Sequence, residues 1–262
     1  MHAEVASLNN SSGSSDDAVP LSGASAAGWQ AALVPVAVVV ALVSAGHGAL
    51  WISAKLIGNQ LIHDITTYGT AVAPLVVLAL YYVYRHGRAG LFEAMALRLP
   101  TDPDGSAARL LLVCGAVIAV IGLLMASMVV AAFSSPQPFV SALPPDYRQV
   151  LPRLVTSWWL LAPLIVLVAP IVEEIVFRGY LQGQLSRIFG ESRLPVLISG
   201  ALFAALHMPG TGAKAVGLLV MGTVLALVRA RTGSVWPGMA VHAIWNAMVL
   251  AVLFGLAVAS QG

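Results

Sequence analysis

Aspartate, glutamate, lysine and arginine are missing from seven stretches of this chain: 18–54, 65–84, 110–145, 154–172, 194–213, 215–228 and 232–262. A bilayer core of about 30 Å asks for roughly 20 consecutive apolar residues in a helix, and most of these gaps are long enough. Only 9% of the 262 residues are charged, against about 25% in an ordinary soluble domain. The gaps therefore read as transmembrane helices. The expected fold is all-α, a polytopic transmembrane helical bundle of about seven spans, roughly six to eight. Continuous apolar runs exclude a β-barrel, whose strands alternate over about ten residues. The short gap 215–228 reaches span length by taking in Gly212 to Ala215 and Arg229, whose long side chain extends to the headgroups.

Residues 1–28 contain Asn9, Asn10, Ser11, Ser12, Ser14 and Ser15 and no lysine or arginine, so a disordered tail is expected. The first apolar run begins near Trp29 and lacks the basic start of a cleaved signal peptide, which makes it a retained helix. Residues 29–153 are expected to form N-terminal transmembrane helices and loops. Within them, Pro136, Pro138, Pro144 and Pro145 predict an extended, non-helical connection over 134–153. Residues 89–99, with Leu91, Phe92, Met95 and Leu99 beside Glu93 and Arg98, predict an interfacial amphipathic helix, the alternative being a plain loop. Placing the N-terminus in the cytoplasm puts Arg85, Arg88, Arg98, Arg109, Arg178, Arg187, Arg193, Arg229 and Arg231 inside, and only Lys55, Arg148, Arg153 and Lys214 outside. The positive-inside bias then favours a multi-pass cell-membrane protein with a cytoplasmic N-terminus. A net charge of +2 offers no basic stripe for nucleic acid, so membrane lipids are the expected surroundings. The single cysteine, Cys114, excludes an intrachain disulfide and a Cys-x-x-Cys zinc site.

Polar residues at membrane depth are costly and tend to mark function. Here they are His47, Glu173, Glu174, Arg178, His207, His242 and Asn246. An acidic residue at a helix centre costs roughly 2.5 to 3.5 kcal/mol on insertion scales, so two adjacent glutamates must be paired or working. Glu174 and Arg178 are four apart in the favourable acid-before-base order and can pair on one face. Glu173 lies about 100° around the helix and is left free. A purely structural brace of all three residues, or the cation site of a transporter, would use the same pattern. His207 follows Phe203 by four residues and Asn246 follows His242 by four, so each pair shares a helix face. Taken singly, either histidine reads as a satisfied core residue. If their helices flank that of Glu173, a carboxylate, two imidazoles and an amide converge inside the bundle. His47 has no partner at helical spacing and is read as a packing residue.

The run Glu173-Glu174-Ile175-Val176-Phe177-Arg178 resembles the Glu-Glu-x-x-x-Arg motif of the CPBP family, the CAAX-protease and bacteriocin-processing (Abi) intramembrane proteases. Phe203-Ala204-Ala205-Leu206-His207 resembles its Phe-x-x-x-His motif, and His242-Ala243-Ile244-Trp245-Asn246 its His-x-x-x-Asn motif. All three stand in family order. Gly233-Ser234-Val235-Trp236-Pro237 is similar to the family's usual lead into the third motif. The resemblance covers about 154–258, which would then be a CPBP-like catalytic helical core. It implies hydrolysis of a peptide bond at or within the membrane. In that reading Glu173 activates a water, His207 assists, His242 and Asn246 stabilise the oxyanion, and Glu174 with Arg178 holds the helix. The implied substrate is a peptide or lipid-proximal protein, such as a prenylated C-terminus.

Other intramembrane protease chemistries lack their signatures here: the chain has no His-Glu-x-x-His, no Gly-x-Ser-x-Gly, and no second aspartate near a span to partner Asp64. Glu173, His207 and His242 also make a workable Zn2+ set with one position open for water, in which case Glu174 would be the base. Pairing of Glu174 with Arg178 favours the metal-free arrangement. A non-catalytic transporter, or a bacteriocin-immunity or scaffold protein, would use the same cluster to bind an ion or a partner.

Overall fold

The computed structural model describes residues 26–56, 95–143, 145–190, 192–207 and 211–261, with short stretches between 72 and 93. The proposed tail before residue 26, half of the gap 65–84 and the side chain of His47 lie outside the described residues.

Among the described residues every regular element is a helix. Helix α1 (Ala26–Leu56) is followed by α2 (Ser106–Ala132), α3 (Pro136–Ala142) and α4 (Pro145–Pro163). The chain then continues without a break through a π-helical turn (Leu164–Val168), α5 (Ala169–Glu173), a second π-helical segment (Glu174–Leu181) and α6 (Gln182–Phe189). Helices α7 (Leu194–Leu206), α8 (Gly212–Thr232) and α9 (Trp236–Ala259) complete the bundle. Five segments have the length and composition to cross a membrane: Trp29–Gly46, Ser106–Ala132, Leu151–Phe189, Gly212–Thr232 and Trp236–Ala259. The fold is thus a helical membrane bundle.

Three expectations change. The proline-rich stretch 134–153 is largely helical, not extended: Pro136 and Pro145 open α3 and α4. There proline's missing N–H costs nothing, because a first-turn N–H has no intrahelical partner. Helix 89–99 does not form over its predicted length. Glu93 is still helical, but residues 95–100 leave the helix, and Ala96 takes a positive φ of 52°. Met95 and Ala96 are buried, because this segment is pulled into the bundle by hydrogen bonds to the α8–α9 turn. The apolar gap 194–213 yields a helix of 13 residues, about 20 Å long, which falls short of the hydrocarbon thickness. The short gap 215–228 does the reverse: α8 runs from Gly212 past Arg229 to Thr232.

Turns are set by local chemistry. Gly190 and Gly233, at φ of 63° and 64°, end α6 and α8 in a conformation that side chains resist. Pro195 and Pro237 sit in the first turns of α7 and α9. Thr211 accepts the Lys214 N–H and caps α8. Helices α7 and α8 touch through glycine: a Cβ on Gly222 would lie 2.9 Å from the Gly200 carbonyl, and one on Gly200 would lie 2.7 Å from the Thr223 hydroxyl. This is the small-residue contact by which membrane helices approach closely. The long helix packs between this pair and α9, with Val176, Phe177, Leu181, Leu185, Phe203 and Met239 in its core.

Candidate active site

The second π-helical segment is buried at all eight positions, including Glu174 and Arg178. Such segments recur at functional sites because the wider turn redirects side chains. Arg178 Nη1 lies 3.1 Å from Glu174 Oε1, and both side chains have no exposed surface. Arg178 Nη2 donates to the carbonyl of Gly222 on α8 at 2.9 Å. Its guanidinium carbon is 4.4 Å from the Phe203 ring centroid, a cation–π contact. One turn on, Gln182 Nε2 donates to Ala226 O at 2.9 Å. Glu174, Arg178 and Gln182 therefore form one polar row at four-residue spacing, and two of them grip carbonyls of α8 four residues apart. Those carbonyls take the bond through a second lone pair.

Glu174 also reaches α9. Its Oε1 is 3.2 Å from His242 Nδ1, and its Oε2 lies where a Cβ on Gly238 would be only 2.9 Å away. Glycine at 238 is what lets the carboxylate approach that helix. Nδ1–H of His242 donates to Glu174, which leaves Nε2 turned toward Glu173 Oε2 at 3.7 Å.

His207 terminates α7. A helix end inside the bundle leaves carbonyls without partners, and the His207 ring answers one of them, with Nδ1–H donating to Phe203 O at 2.6 Å. Its Nε2 then points at Glu173 Oε2 across 3.5 Å. Phe203 packs against both imidazoles, 4.3 Å from the His207 ring and 5.8 Å from that of His242. The Phe203-to-His207 spacing is thus doubly useful: the backbone of Phe203 fixes the tautomer of His207 and its ring fills the space between the histidines.

Glu173 differs from its neighbour. Its side chain is 26% exposed, whereas that of Glu174 is fully enclosed. Its Oε2 faces both imidazoles yet makes no hydrogen bond.

Asn246 is engaged elsewhere. Its Nδ2 donates to the carbonyl of Ile165 at 2.9 Å. In the preceding π-helical turn the Ala169 N–H bonds to Leu164 O, and the next donor in that register would be Pro170, which has none. Ile165 O is left without a backbone partner at membrane depth, and Asn246 supplies it. The structure therefore gathers Glu173, Glu174, Arg178, His207 and His242 into one cluster. It sets Asn246 one turn along α9 from His242, against the same long helix.

Zinc requires several donors about 2.0 to 2.2 Å from one point. Among the described residues no group of three or more His, Cys, Asp or Glu is gathered as a metal site, so the zinc set of Glu173, His207 and His242 gains no support. Sequence reasoning overlooked Gln182, Gly222 and Gly238. Gln182 continues the four-residue spacing of Glu174 and Arg178 and was visible on that ground. Nothing local distinguishes the two glycines.

Fold and cluster together define a polytopic helical membrane protein with a glutamate–histidine centre enclosed by its own helices. Residues 155–248 match the family model described as Type II CAAX prenyl endopeptidase Rce1-like. That segment holds every residue of the cluster. No curated protein and no solved structure matches the chain.

Proposed function

We propose that the protein is an intramembrane endopeptidase in which Glu173 activates the attacking water. One observation carries this reading: of two adjacent glutamates, Glu174 is engaged by Arg178 and His242, while Glu173 presents a carboxylate oxygen to two imidazoles and is committed to neither. Separations of 3.5 and 3.7 Å are too long for direct hydrogen bonds and suit a bridging water. Glu173 takes a proton from that water as the hydroxide attacks the scissile carbonyl, and returns it to the leaving amine when the bond breaks. No covalent intermediate is needed. His207, its Nδ1–H held by Phe203 O, orients the water through Nε2. His242, held through Nδ1 by Glu174 Oε1, stabilises the developing oxyanion from its Nε2 side. Asn246 keeps one amide hydrogen on Ile165 O and offers the other to the same oxygen. The substrate is a peptide presented at the membrane, as in the CAAX endopeptidases of the matched family.

The test uses the full chain in proteoliposomes with a farnesylated fluorogenic CAAX peptide as probe. Glu173→Gln should lower turnover by about 10²- to 10⁴-fold, the usual worth of a general base, while the protein stays folded and monodisperse. Cleavage by Glu173→Gln at the wild-type rate would overturn the proposal. So would a cation flux through the liposomes that disappears with the same substitution.

A further inference from the structure

Where α8 ends, two arginines meet at one corner of the bundle, and a third lies on the same last turn. Arg229 and Arg231 occupy the last turn of α8. Arg98 arrives from the segment 95–101, and its Nε–H donates to Gly233 O at 3.0 Å. The guanidinium lies so close over this turn that a Cβ on Gly233 would be 2.8 Å from Arg98 Nη2. The Gly233 N–H donates in turn to Arg229 O. Arg98 is thereby pinned onto the turn from which Arg229 projects, near enough for the two cations to repel.

No carboxylate among the described residues relieves them. Glu173 and Glu174 pair with Arg178, His207 and His242 in the candidate active site. Nearby acids are engaged at the start of α2: Asp102 accepts the N–H groups of Ala107 and Ala108, and Asp104 accepts that of Ser106 and lies beside Arg109. Arg229 Nε is buried and makes no hydrogen bond. The positive-inside bias accounts for arginines at this level of the membrane, and a helix C-terminus attracts them. Neither effect requires Arg98 to be hydrogen-bonded across the turn that follows Arg229. Trp236, half-exposed, donates its indole N–H to Leu97 O at 3.1 Å, an anchor of the kind that sits at headgroup depth. The N-terminus of α9 opens at the same corner and adds partial positive charge.

We propose that Arg98 and Arg229 bind a phosphate-bearing anion, either the headgroup of an anionic phospholipid or phosphate from solution. Guanidinium forks match phosphate oxygens in pairs, and basic pockets between membrane helices are suited to lipid headgroups. The bound anion neutralises the repulsion and ties the segment 95–101 to the end of α8.

Native mass spectrometry of the full chain, released from vesicles of phosphatidylcholine with or without phosphatidylglycerol, tests this directly. One phosphatidylglycerol should be retained per protein. The double variant Arg98→Gln/Arg229→Gln should lose about tenfold or more in retention, the value of one charge-assisted hydrogen bond. Arg98→Lys/Arg229→Lys, which keeps both charges, should recover part of it. Arg193→Gln, at an exposed arginine before α7, should behave as wild type. If millimolar inorganic phosphate displaces the lipid, the site takes the phosphate group from either source; if it does not, the source is the lipid. Equal retention by the double glutamine variant, or an equal loss in Arg193→Gln, would overturn the proposal.

Discussion

Helix α2 and the long helix are both apolar enough to cross a bilayer, yet 6% of an apolar 18-residue stretch of α2 and 44% of one in Leu151–Phe189 are buried by the rest of the protein. Along α2, Leu112, Val113, Val117, Val120, Leu123 and Leu124 stay exposed, and no charged side chain occurs between Arg109 and Asp146. The long helix carries Glu173, Glu174, Arg178 and Gln182 along its middle. Lipid can solvate the first helix but not the second. Buried polar groups are tolerated only where neighbouring helices offer acceptors and donors at matching heights, and here α8 offers Gly222 O and Ala226 O while α9 offers His242. The polar cluster thus centres on the helix that the bundle surrounds, and α7 and α9 complete it with His207 and His242.

The largest test of this contrast is Arg178→Leu. It removes the cation from an enclosed pair and leaves Glu174 facing only His242. Loss of one partner of a buried pair costs about 3 to 5 kcal/mol. The substitution should therefore abolish folding or lower the detergent unfolding midpoint steeply, measured by tryptophan fluorescence in mild detergent. Wild-type stability in Arg178→Leu would mean that the polar row does not hold the long helix to α8.

Much of this contrast was legible in the sequence. The charge-free gaps announced helices, and four-residue spacing announced the Glu174–Arg178 pair, because both depend on periods internal to a single element. What spacing could not supply was tertiary. That Asn246 turns to Ile165 O depends on a π-helical register meeting Pro170 on a different helix. That α7 stops at Leu206 depends on His207 capping its own helix end, which an apolar stretch extending to residue 213 conceals. Residues 89–99 read as amphipathic from Leu91, Phe92, Met95 and Leu99 beside Glu93 and Arg98, whereas 95–101 follow partners on the α8–α9 turn. Their hydrogen bonds to Thr232, Gly233 and Ser234 lie more than 130 positions away in the chain.

A pair of glycine substitutions separates the two regions more finely and predicts opposite signs. Gly222→Ala places a methyl group 2.9 Å from the Gly200 backbone carbonyl, an atom that cannot swing aside. Helices α7 and α8 must part, at about 1 to 3 kcal/mol for an overpacked contact. Gly115→Ala on α2 meets nothing within 4 Å and should raise stability by up to about 1 kcal/mol through helix propensity alone. Unfolding midpoints of the two variants, measured side by side, should move in opposite directions. A shared direction would show that α7 and α8 are not in glycine contact.

The smallest effect belongs to the one end of α2 that is specifically held. Asp104 accepts the Ser106 N–H at 3.0 Å, and that bond, with the nearby Arg109, keeps its carboxyl below the ordinary value of 3.8. A carboxylate whose folded value is depressed contributes stability that is fully present above the unfolded value and is lost as the pH falls through the folded one. Asp104→Ala should therefore lower the unfolding midpoint slightly at pH 6, and the difference from wild type should close as the pH drops below about 3.8. Because the group is fully solvent-exposed, salt should shrink the same difference at pH 6. A gap between the two proteins that is independent of pH would assign the effect to the turn at Gly105 and not to the charge.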